Sequence, residues 1–350
     1  MNLKIGSKTI VTPLKATYKY NPVSPVNEIY KGFSSEKLTK LLTDEEYERT
    51  INSEIKRYSG QDYNFFIIDY TDPELPSPNQ IEALSDIQYE YSIVAITPIW
   101  STLVRTLKGD NLLDTYIDLT NKYIEVVETL NNKSILGLIP SRIPRQYLGN
   151  IIKNYHDQNI TSYIIDFDGR AIDRNQTWMR GFMRNLTDLG ILEESLLYSV
   201  NANEGKFMKN AVKILAKDFI GSGFGIDILG LNHVRPRMTS EGWERIKQQR
   251  KENIYRLFER DSYAYVRLTE RQIKRKMLGL DDSNLKRDIR KYNITEQHKE
   301  TLELKKRLKE ESSIESYIRS KDTIDDSLIK KIKKLRSQTF NPQKELDSFL

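Results

Sequence analysis

Short apolar runs that alternate with amphipathic segments constrain the fold of this chain more than any other feature. The runs are apolar throughout rather than at every second position. They cover residues 64–70, 91–100, 134–140, 161–169, 195–203 and 224–232. Strands of this kind have both faces covered, as in a parallel sheet packed between helices. Patterns of helical period lie between them, at 112–130, 145–158, 175–190 and 205–220. The alternation predicts a βα repeat.

The number of repeats favours one α/β architecture over the other. Six or more units without a glycine-rich phosphate turn predict a closed (β/α)8 TIM-like barrel rather than a Rossmann sheet. No G-x-G-x-x-G or Walker motif occurs, so nothing in the sequence supports a nucleotide cofactor. Residues 3–20 predict a small hairpin ahead of the barrel, with its turn at Gly6-Ser7, and residues 34–57 predict one or two helices.

The last third of the chain has a different composition. After Arg237 the alternation stops, and residues 241–290 place basic side chains among tyrosines and phenylalanines in what is predicted to be helix. Residues 241–350 hold 28 Lys and Arg against 20 Asp and Glu, a net charge of +8 in a chain whose net charge is +6. We therefore expect a hairpin plus barrel over 1–240 and a basic helical extension over 241–350. A basic surface predicts a polyanionic partner, and a solvated helical face is the alternative.

Composition excludes several classes of site. The chain has no cysteine, which excludes disulfides, thiolate zinc sites and a cysteine nucleophile. Its three histidines are scattered, so we expect no metal. No apolar run reaches the ~18 residues of a membrane span and no leader is recognisable, which predicts a cytoplasmic protein without a membrane partner.

Polar groups follow nearly every predicted strand. Carboxyl ends of parallel strands meet at one edge, and an unpaired carboxylate buried there costs several kcal/mol, so a set of them indicates chemistry or ligand binding. The alternatives are a helix cap at Asp69, plain loop or turn residues, and a buried pair between Asp227 and Arg235 or Arg237. The groups concerned are Asp69, Asp166, Asp168, Asn201, Asn203 and Asp227, with Asn232, His233 and Arg235 beyond the last run.

The order of these pieces resembles the tRNA-guanine transglycosylase superfamily over roughly residues 3–237. "IGSKTIVTPLKAT" is similar to that family's opening, and "FFIIDYT" falls where it has a strand ending in a catalytic aspartate. "SILGLIPSRIPRQYLGNIIKNYHDQNITSYIIDFDG" and "LLYSVNAN" with "GFGIDILG" resemble its later strand, helix and acid motifs. The missing zinc site points to a divergent branch, such as the phage enzymes that insert 7-deazaguanines into DNA.

The resemblance implies a guanine transglycosylase that exchanges guanine in a nucleic acid, DNA favoured over tRNA, for a 7-deazaguanine base through a glycosyl-aspartate intermediate. Asp69 carries over by position, and Asp227 would be its partner carboxylate. The family's nucleophile position falls on Gly230, which carries no acid. A catalytically inert nucleic-acid-binding relative is therefore one alternative. An unrelated barrel hydrolase that uses Asp166 and Asp168 with a divalent ion is another.

The remaining roles follow from the base-exchange hypothesis. No cofactor is expected, and a homodimer is compatible with it. Tyr255, Phe258, Tyr263 and Tyr265 would be available to stack on bases. We expect the base and sugar to be bound by Asp166, Asp168, Asn201, Asn203, Asn232 and His233. We expect the phosphates to be bound by Arg235, Arg237, Lys247, Arg250, Lys251, Arg256, Lys274, Arg275 and Lys276.

Overall fold

The centre of the structure is a parallel sheet flanked by helices, which confirms the predicted α/β class. The computed structural model describes residues 2–5, 8–18, 23–60, 63–130, 133–208, 211–234, 239–249, 253–276, 284–309 and 314–340. In chain order the strands are β1 (Asn2–Ile5), β2 (Lys8–Val11), β3 (Leu14–Lys15), β4 (Val26–Phe33), β5 (Tyr63–Tyr70), β6 (Ala95–Ile96), β7 (Ile135–Pro140), β8 (Tyr163–Asp166), β9 (Leu197–Val200), β10 (Lys213–Leu215), β11 (Ile228–Leu229), β12 (Ile254–Glu259) and β13 (Ala264–Thr269).

Helices follow most of the parallel strands. Their first turns carry ordinary start signals: Asp44 accepts from the amides of Glu46 and Tyr47, and Ser77 forms a capping box with Gln80. The α-helices are α1 (Ser35–Thr43), α2 (Glu45–Tyr58), α3 (Pro78–Tyr91), α4 (Ser101–Thr106), α5 (Gly109–Thr129), α6 (Leu148–Asp157), α7 (Gln176–Asp188), α8 (Ser240–Gln249), α9 (Glu270–Lys276), α10 (Leu285–Lys309), α11 (Ile314–Arg319) and α12 (Asp326–Phe340).

Six parallel strands form the largest sheet, in the order β3-β11-β9-β8-β7-β6. The parallel pair β4–β5 adjoins both edges of this sheet, with β4 next to the β3 edge and β5 next to the β6 edge. Thr17, just after β3, forms a parallel bridge with Asn27 of β4, and Asp69 of β5 forms one with Ile99, just after β6. The carboxyl ends of these eight strands therefore lie toward the same side of the molecule.

Each strand buries both of its faces, but in different apolar clusters. Phe65 and Ile67 of β5 belong to a cluster of strand residues and their neighbours, to which all eight parallel strands or the residues beside them contribute. Phe66 and Ile68 of the same strand pack instead with the helices, in the larger cluster. This two-sided burial is the reason that the strands read as continuous apolar runs.

Two stretches that were predicted as helix contain strands. Residues 205–220 include β10, which pairs with β13, and a 3-10 helix over Phe219–Phe224 follows it. Residues 241–290 include the antiparallel hairpin of β12 and β13 between α8 and α9. Strand pairing across the chain has overridden the local helical pattern in both places, because propensity is only a weak determinant.

Residues on both sides of the predicted boundary at 240 share one core. β10 and β13 belong to the same three-stranded sheet, and Tyr265 and Leu328 pack in the cluster that contains the helices of the parallel sheet. α12 packs against α7, and α10 packs against β3. The segment after 240 is therefore a mixed α/β cover on the parallel sheet rather than an all-helical extension.

Truncation of Ile332 on α12 tests this shared core. Ile332 is buried, and its Cδ1 lies 2.9 Å from the place where a Cβ on Gly223 would stand. We expect Ile332→Ala to lower the free energy of unfolding by about 2–5 kcal/mol through the cavity that it leaves. The exposed Lys331→Ala is the control, and chemical denaturation measures both. Equal stabilities of the two variants would contradict the packing of α12 against the part of the chain before residue 240.

Candidate active site

Polar side chains from five parallel strands meet at the carboxyl edge of the sheet. Tyr30 lies near the end of β4, Asp69 lies at the end of β5, and Asp166 ends β8. Asn201 follows β9, and His233 lies in the segment after β11. Four of these five were predicted from the strand ends. Tyr30 was not, because residues 24–33 were not recognised as a strand.

Asp69 lines a cavity, and a hydrogen bond fixes one of its carboxyl oxygens. Its Oδ2 accepts a hydrogen bond of 2.8 Å from the Tyr30 hydroxyl, whereas its Oδ1 is buried and has no hydrogen-bond partner among the described residues. Burial raises the pKa of Asp69, and interactions with the side chains of Ser101 and Tyr30 oppose that rise. The carboxyl group is thus held in one orientation at the wall of the cavity.

His233 is oriented by a buried glutamate. Its Nε2 lies 2.5 Å from Oε1 of Glu28 on β4, and its ring stacks on Tyr30 with centroids 4.5 Å apart. Glu28 is 3% exposed and also accepts from the Leu231 amide and the Tyr198 hydroxyl. This contact engages Nε2 and orients the ring of His233, a residue that lines the cavity.

Asp166 is buried, and amide groups surround its carboxyl group. Its Oδ1 accepts from Asn201 Nδ2 at 2.9 Å and from the Asp168 amide at 3.0 Å. The pKa of Asp166 is raised to about 7, chiefly by burial and also by the nearby charges of Asp168 and Asp69, against these hydrogen bonds. Asn201 also accepts from the His233 amide at 2.9 Å, so it joins Asp166 to the segment that carries the histidine.

Asp168 has a different environment, because two arginines hold it. Arg105 of α4 donates to its Oδ1 at 2.5 Å, and Arg142 donates to its Oδ2. Although burial acts in the other direction, these arginines keep the pKa of Asp168 below its usual range. Asp168 is therefore an ionised partner that fixes Arg105 at the edge of the cavity, rather than an acid or base.

The cavity above these groups has a volume of about 550 Å³. Tyr30, Asp69 and His233 line it, together with Gly32, Thr71 and Val234. Three cationic side chains line it as well, namely Lys31, Lys37 and Arg105. The candidate cavity thus combines a reactive carboxyl group, an oriented imidazole and a cationic border.

The structure does not bring Asp227 to this edge. Its side chain accepts from the Thr12 hydroxyl and from the Leu197 amide, both at 3.0 Å, where β3 and β9 begin. β11 starts only after Asp227, at Ile228, so the acid precedes the strand instead of lying near its end. The predicted partnership of Asp69 and Asp227 in one cavity is therefore wrong, and Asp227 ties the starts of neighbouring strands together.

Several other predicted binding residues have local roles. Asn203 donates to the Gly169 carbonyl and accepts from the Gly205 amide, so it stabilises its own turn. Asn232 is exposed and accepts from the Val234 amide. Phe258, Tyr263 and Tyr265 are buried in the core and cannot stack on a base, whereas Tyr255 is half-buried.

The predicted phosphate-binding cations do not line the candidate cavity where the structure describes them. Arg256 pairs with Glu204 at 3.2 Å, and Lys276 pairs with Glu259 at 3.1 Å. Lys274, Arg275 and Lys276 lie together on α9, and Lys247 lies on α8. Four further predicted cations fall outside the described residues: Arg235, Arg237, Arg250 and Lys251.

Sequence reasoning missed three members of the site: Glu28, Tyr30 and Arg105. The apolar residues of "VNEIYKGF" are interrupted by Asn27, Glu28 and Lys31, and this hides a strand that is buried on both faces. The signal that could have found it was a glutamate within a β-branched and aromatic stretch. A fully buried glutamate needs partners, and that makes it a candidate for a site.

Position 230 accommodates only a glycine, because two neighbouring groups occupy the space that a Cβ atom would need. A Cβ at this position would overlap the Ser199 carbonyl oxygen and would stand 2.6 Å from Oε2 of Glu28. No acid can therefore occupy position 230 in this arrangement. The carboxylate that reaches this place comes from Glu28 on β4.

Comparisons with known proteins add no family to this geometry, since no family model and no curated protein matches the chain. Among the described residues, no group of three or more His, Asp or Glu side chains could hold a metal ion. In the same part of the chain, no helix combines the length and apolar character that crossing a membrane requires.

The titration of Asp166 gives a stability prediction. Asp166→Asn removes the acid and keeps an acceptor for Asn201 and the Asp168 amide. The folded wild type binds a proton with a pKa of about 7, whereas an unfolded aspartate titrates near about 4. Wild type should therefore lose stability relative to Asp166→Asn as the pH rises from about 4 to about 7, and the difference should then level off. Denaturation curves measured across this range test it, and parallel curves would contradict it.

The crowding at Gly230 gives a second prediction. We expect Gly230→Ala to lower the free energy of unfolding by about 1–3 kcal/mol or more, because the Ser199 backbone cannot move aside easily. Gly32→Ala is the matched control on β4, since its Cβ would meet Thr71 at 3.5 Å, an ordinary contact. Thermal unfolding compares the two variants, and similar losses in both would refute this account of Gly230.

Proposed function

We propose that this protein is a guanine transglycosylase that exchanges guanine in a nucleic acid, with DNA as the favoured polymer, for a 7-deazaguanine base. The observation that carries the proposal is the buried Asp69, which lines the candidate cavity together with the oriented His233. Base exchange at a sugar carbon needs a placed carboxylate nucleophile and a proton carrier. Asp69 would be the nucleophile and His233 the proton carrier.

The proposed framework is a closed (β/α)8 barrel. Six parallel strands in one sheet, the parallel pair β4–β5 and the two parallel bridges at its edges support this closure. The apolar cluster to which all eight strands or their neighbours contribute would then fill the barrel interior. Active sites of such barrels lie at the carboxyl ends of the strands, where Asp69, Asp166 and His233 are found.

In the first proposed step, an oxygen of the ionised Asp69 attacks C1′ of the nucleotide. The bond from C1′ to the base nitrogen breaks, the electron pair stays on that nitrogen, and protonated His233 gives it a proton. In the second step the incoming 7-deazaguanine gives its ring N–H proton to His233, and its nitrogen attacks C1′. Asp69 leaves as a carboxylate, so neither step needs a metal or a redox partner.

Charge at the cavity supports a polyanionic substrate. Lys31, Lys37 and Arg105 border the cavity, and Arg105 is held there by Asp168. A flipped nucleotide would have its phosphates near these cations, where Arg is suited to bidentate contact. Asp166 and Asn201 act in this scheme as positioning residues, since neither lines the cavity.

Uptake of labelled 7-deazaguanine tests the proposal. Wild type is incubated with guanine-containing duplex DNA, single-stranded DNA and tRNA, and incorporation is counted. We expect Asp69→Asn to reduce uptake by at least about 10³-fold, since it removes the nucleophile. The exposed Asp118→Asn is the surface control, and Asp227→Asn tests the acid at the opposite ends of the strands. Thermal unfolding shows that each variant is folded.

The outcomes separate the candidate functions. Loss of uptake in Asp69→Asn, with uptake retained in Asp118→Asn and in folded Asp227→Asn, supports Asp69 as the nucleophile. Uptake that survives Asp69→Asn refutes this assignment. If wild type binds nucleic acid but incorporates no labelled base into any of the three polymers, the catalytically inert alternative is supported instead.

A further inference from the structure

A second cavity lies on the other side of the segment that carries His233. It has a volume of about 260 Å³, which leaves room for a small ligand or several water molecules of about 30 Å³ each. The end of β3, the segment after β11, β13 and α10 supply its lining. The residues that matter for its chemistry are Lys15, Asp218, Tyr265, Lys286, Arg290 and Gln297.

A buried carboxylate in the second cavity lacks a partner for one oxygen. Asp218 is 7% exposed, and its Oδ2 accepts from the Tyr265 hydroxyl at 2.9 Å and from Gln297 Nε2 at 3.3 Å. Its Oδ1 is buried and has no hydrogen-bond partner within the described part of the chain. Since an unsatisfied buried acceptor is costly, Oδ1 requires an N–H or O–H donor from outside this set of residues.

The opposite side of the second cavity is cationic. Lys286 and Arg290 are exposed and lie one turn apart in the first two turns of α10, a helix of 25 residues. The amino end of such a helix carries partial positive charge, which adds to that of the two side chains. Arg290 also stacks over the Tyr18 ring at 4.6 Å, so its position is defined.

The second cavity therefore has a carboxylate with one unpartnered oxygen, whose other oxygen lies 3.9 Å from Lys15 Nζ, and two exposed cations on α10. Glu204 lines it as well. We propose that it is a binding site for a phosphate monoester that carries an N–H or O–H donor. Lys286 and Arg290 bind the phosphate, and Asp218 Oδ1 accepts from the donor group. This inference does not depend on base exchange and assigns a ligand site beyond it.

One peptide group connects this site to the candidate cavity. The Gly230 carbonyl accepts from Lys15 Nζ at 2.7 Å, and the amide of the same peptide, at Leu231, donates to Glu28. Lys15 is 2% exposed and lines the second cavity, whereas Glu28 orients His233. A ligand that shifts Lys15 thus acts on the peptide that helps to hold Glu28.

Calorimetric titration of the full chain with guanosine 5′-monophosphate and with inorganic phosphate tests the proposal. We expect saturable binding of the nucleotide. Asp218→Asn should weaken nucleotide binding by about 10-fold or more and leave phosphate binding nearly unchanged, because it removes only the acceptor for the donor. The double variant Lys286→Ala/Arg290→Ala should weaken both probes by about 10-fold or more.

Controls locate the site and protect the test against misfolding. Arg49→Ala/Lys122→Ala removes two exposed cations on α2 and α5, so it should bind the nucleotide as wild type does. If Asp218→Asn does not fold, the comparison of Lys286→Ala/Arg290→Ala with this control still tests the site. Absence of saturable binding, or unchanged affinity in Lys286→Ala/Arg290→Ala, would overturn the proposal.

A further titration identifies the source of the phosphate. A 5′-phosphorylated trinucleotide of guanosine is compared with the mononucleotide on wild type and on Lys286→Ala/Arg290→Ala. Tighter binding of the trinucleotide, lost in the variant, assigns the site to the end of a nucleic-acid strand. Tighter binding of the mononucleotide, lost in the variant, assigns it to a free nucleotide. If the variant still binds the trinucleotide and the mononucleotide as wild type does, the proposed phosphate site is wrong.

Discussion

The buried carboxylate of Glu28 holds the candidate site together. It accepts from the Tyr198 hydroxyl of β9, from the Leu231 amide after β11 and from the ring of His233, although it belongs to β4. Three donors from separate parts of the chain offset the cost of burying one charge, and loss of any of them would leave that charge undersatisfied. The same carboxylate fills the space beside Gly230, so the orientation of His233 and the path of the chain after β11 have one cause.

Much of the site could be predicted from the sequence, because burial of polar groups at strand ends is costly and therefore informative. Asp69, Asp166 and Asn201 were expected at one edge. Asp69 is hydrogen-bonded there to Tyr30, whose ring stacks on His233, and Asn201 is hydrogen-bonded to Asp166 and to the His233 amide. Asp227 was misplaced because β11 has only two residues and the apolar run "FGIDILG" does not show where pairing starts. A register set by hydrogen bonds to β3 and β9 decides that point, and such long-range pairing is not visible in a local pattern.

The α/β class was likewise predictable, whereas the elements around residues 205–270 were not. The segment Lys213–Leu215 has residues that are common in helices, but it forms β10. Its pairing with β13 satisfies its backbone hydrogen bonds. Tyr263 and Tyr265 read as exposed aromatics among basic residues, yet they are core residues, and Tyr265 donates to Asp218. Their alternation in β13 is a strand signal that the surrounding charges concealed.

Three aspartates at one edge acquire three roles from their partners alone. Two arginines keep the pKa of Asp168 low, deep burial raises the pKa of Asp166 to about 7 against two amide donors, and Tyr30 fixes one oxygen of Asp69 at the cavity. Environments that give acids of the same type different pKa values are typical of catalytic sites. Because residue type is the same in all three, this division of roles arises only when β5, β8 and the arginines from the two intervening segments come together.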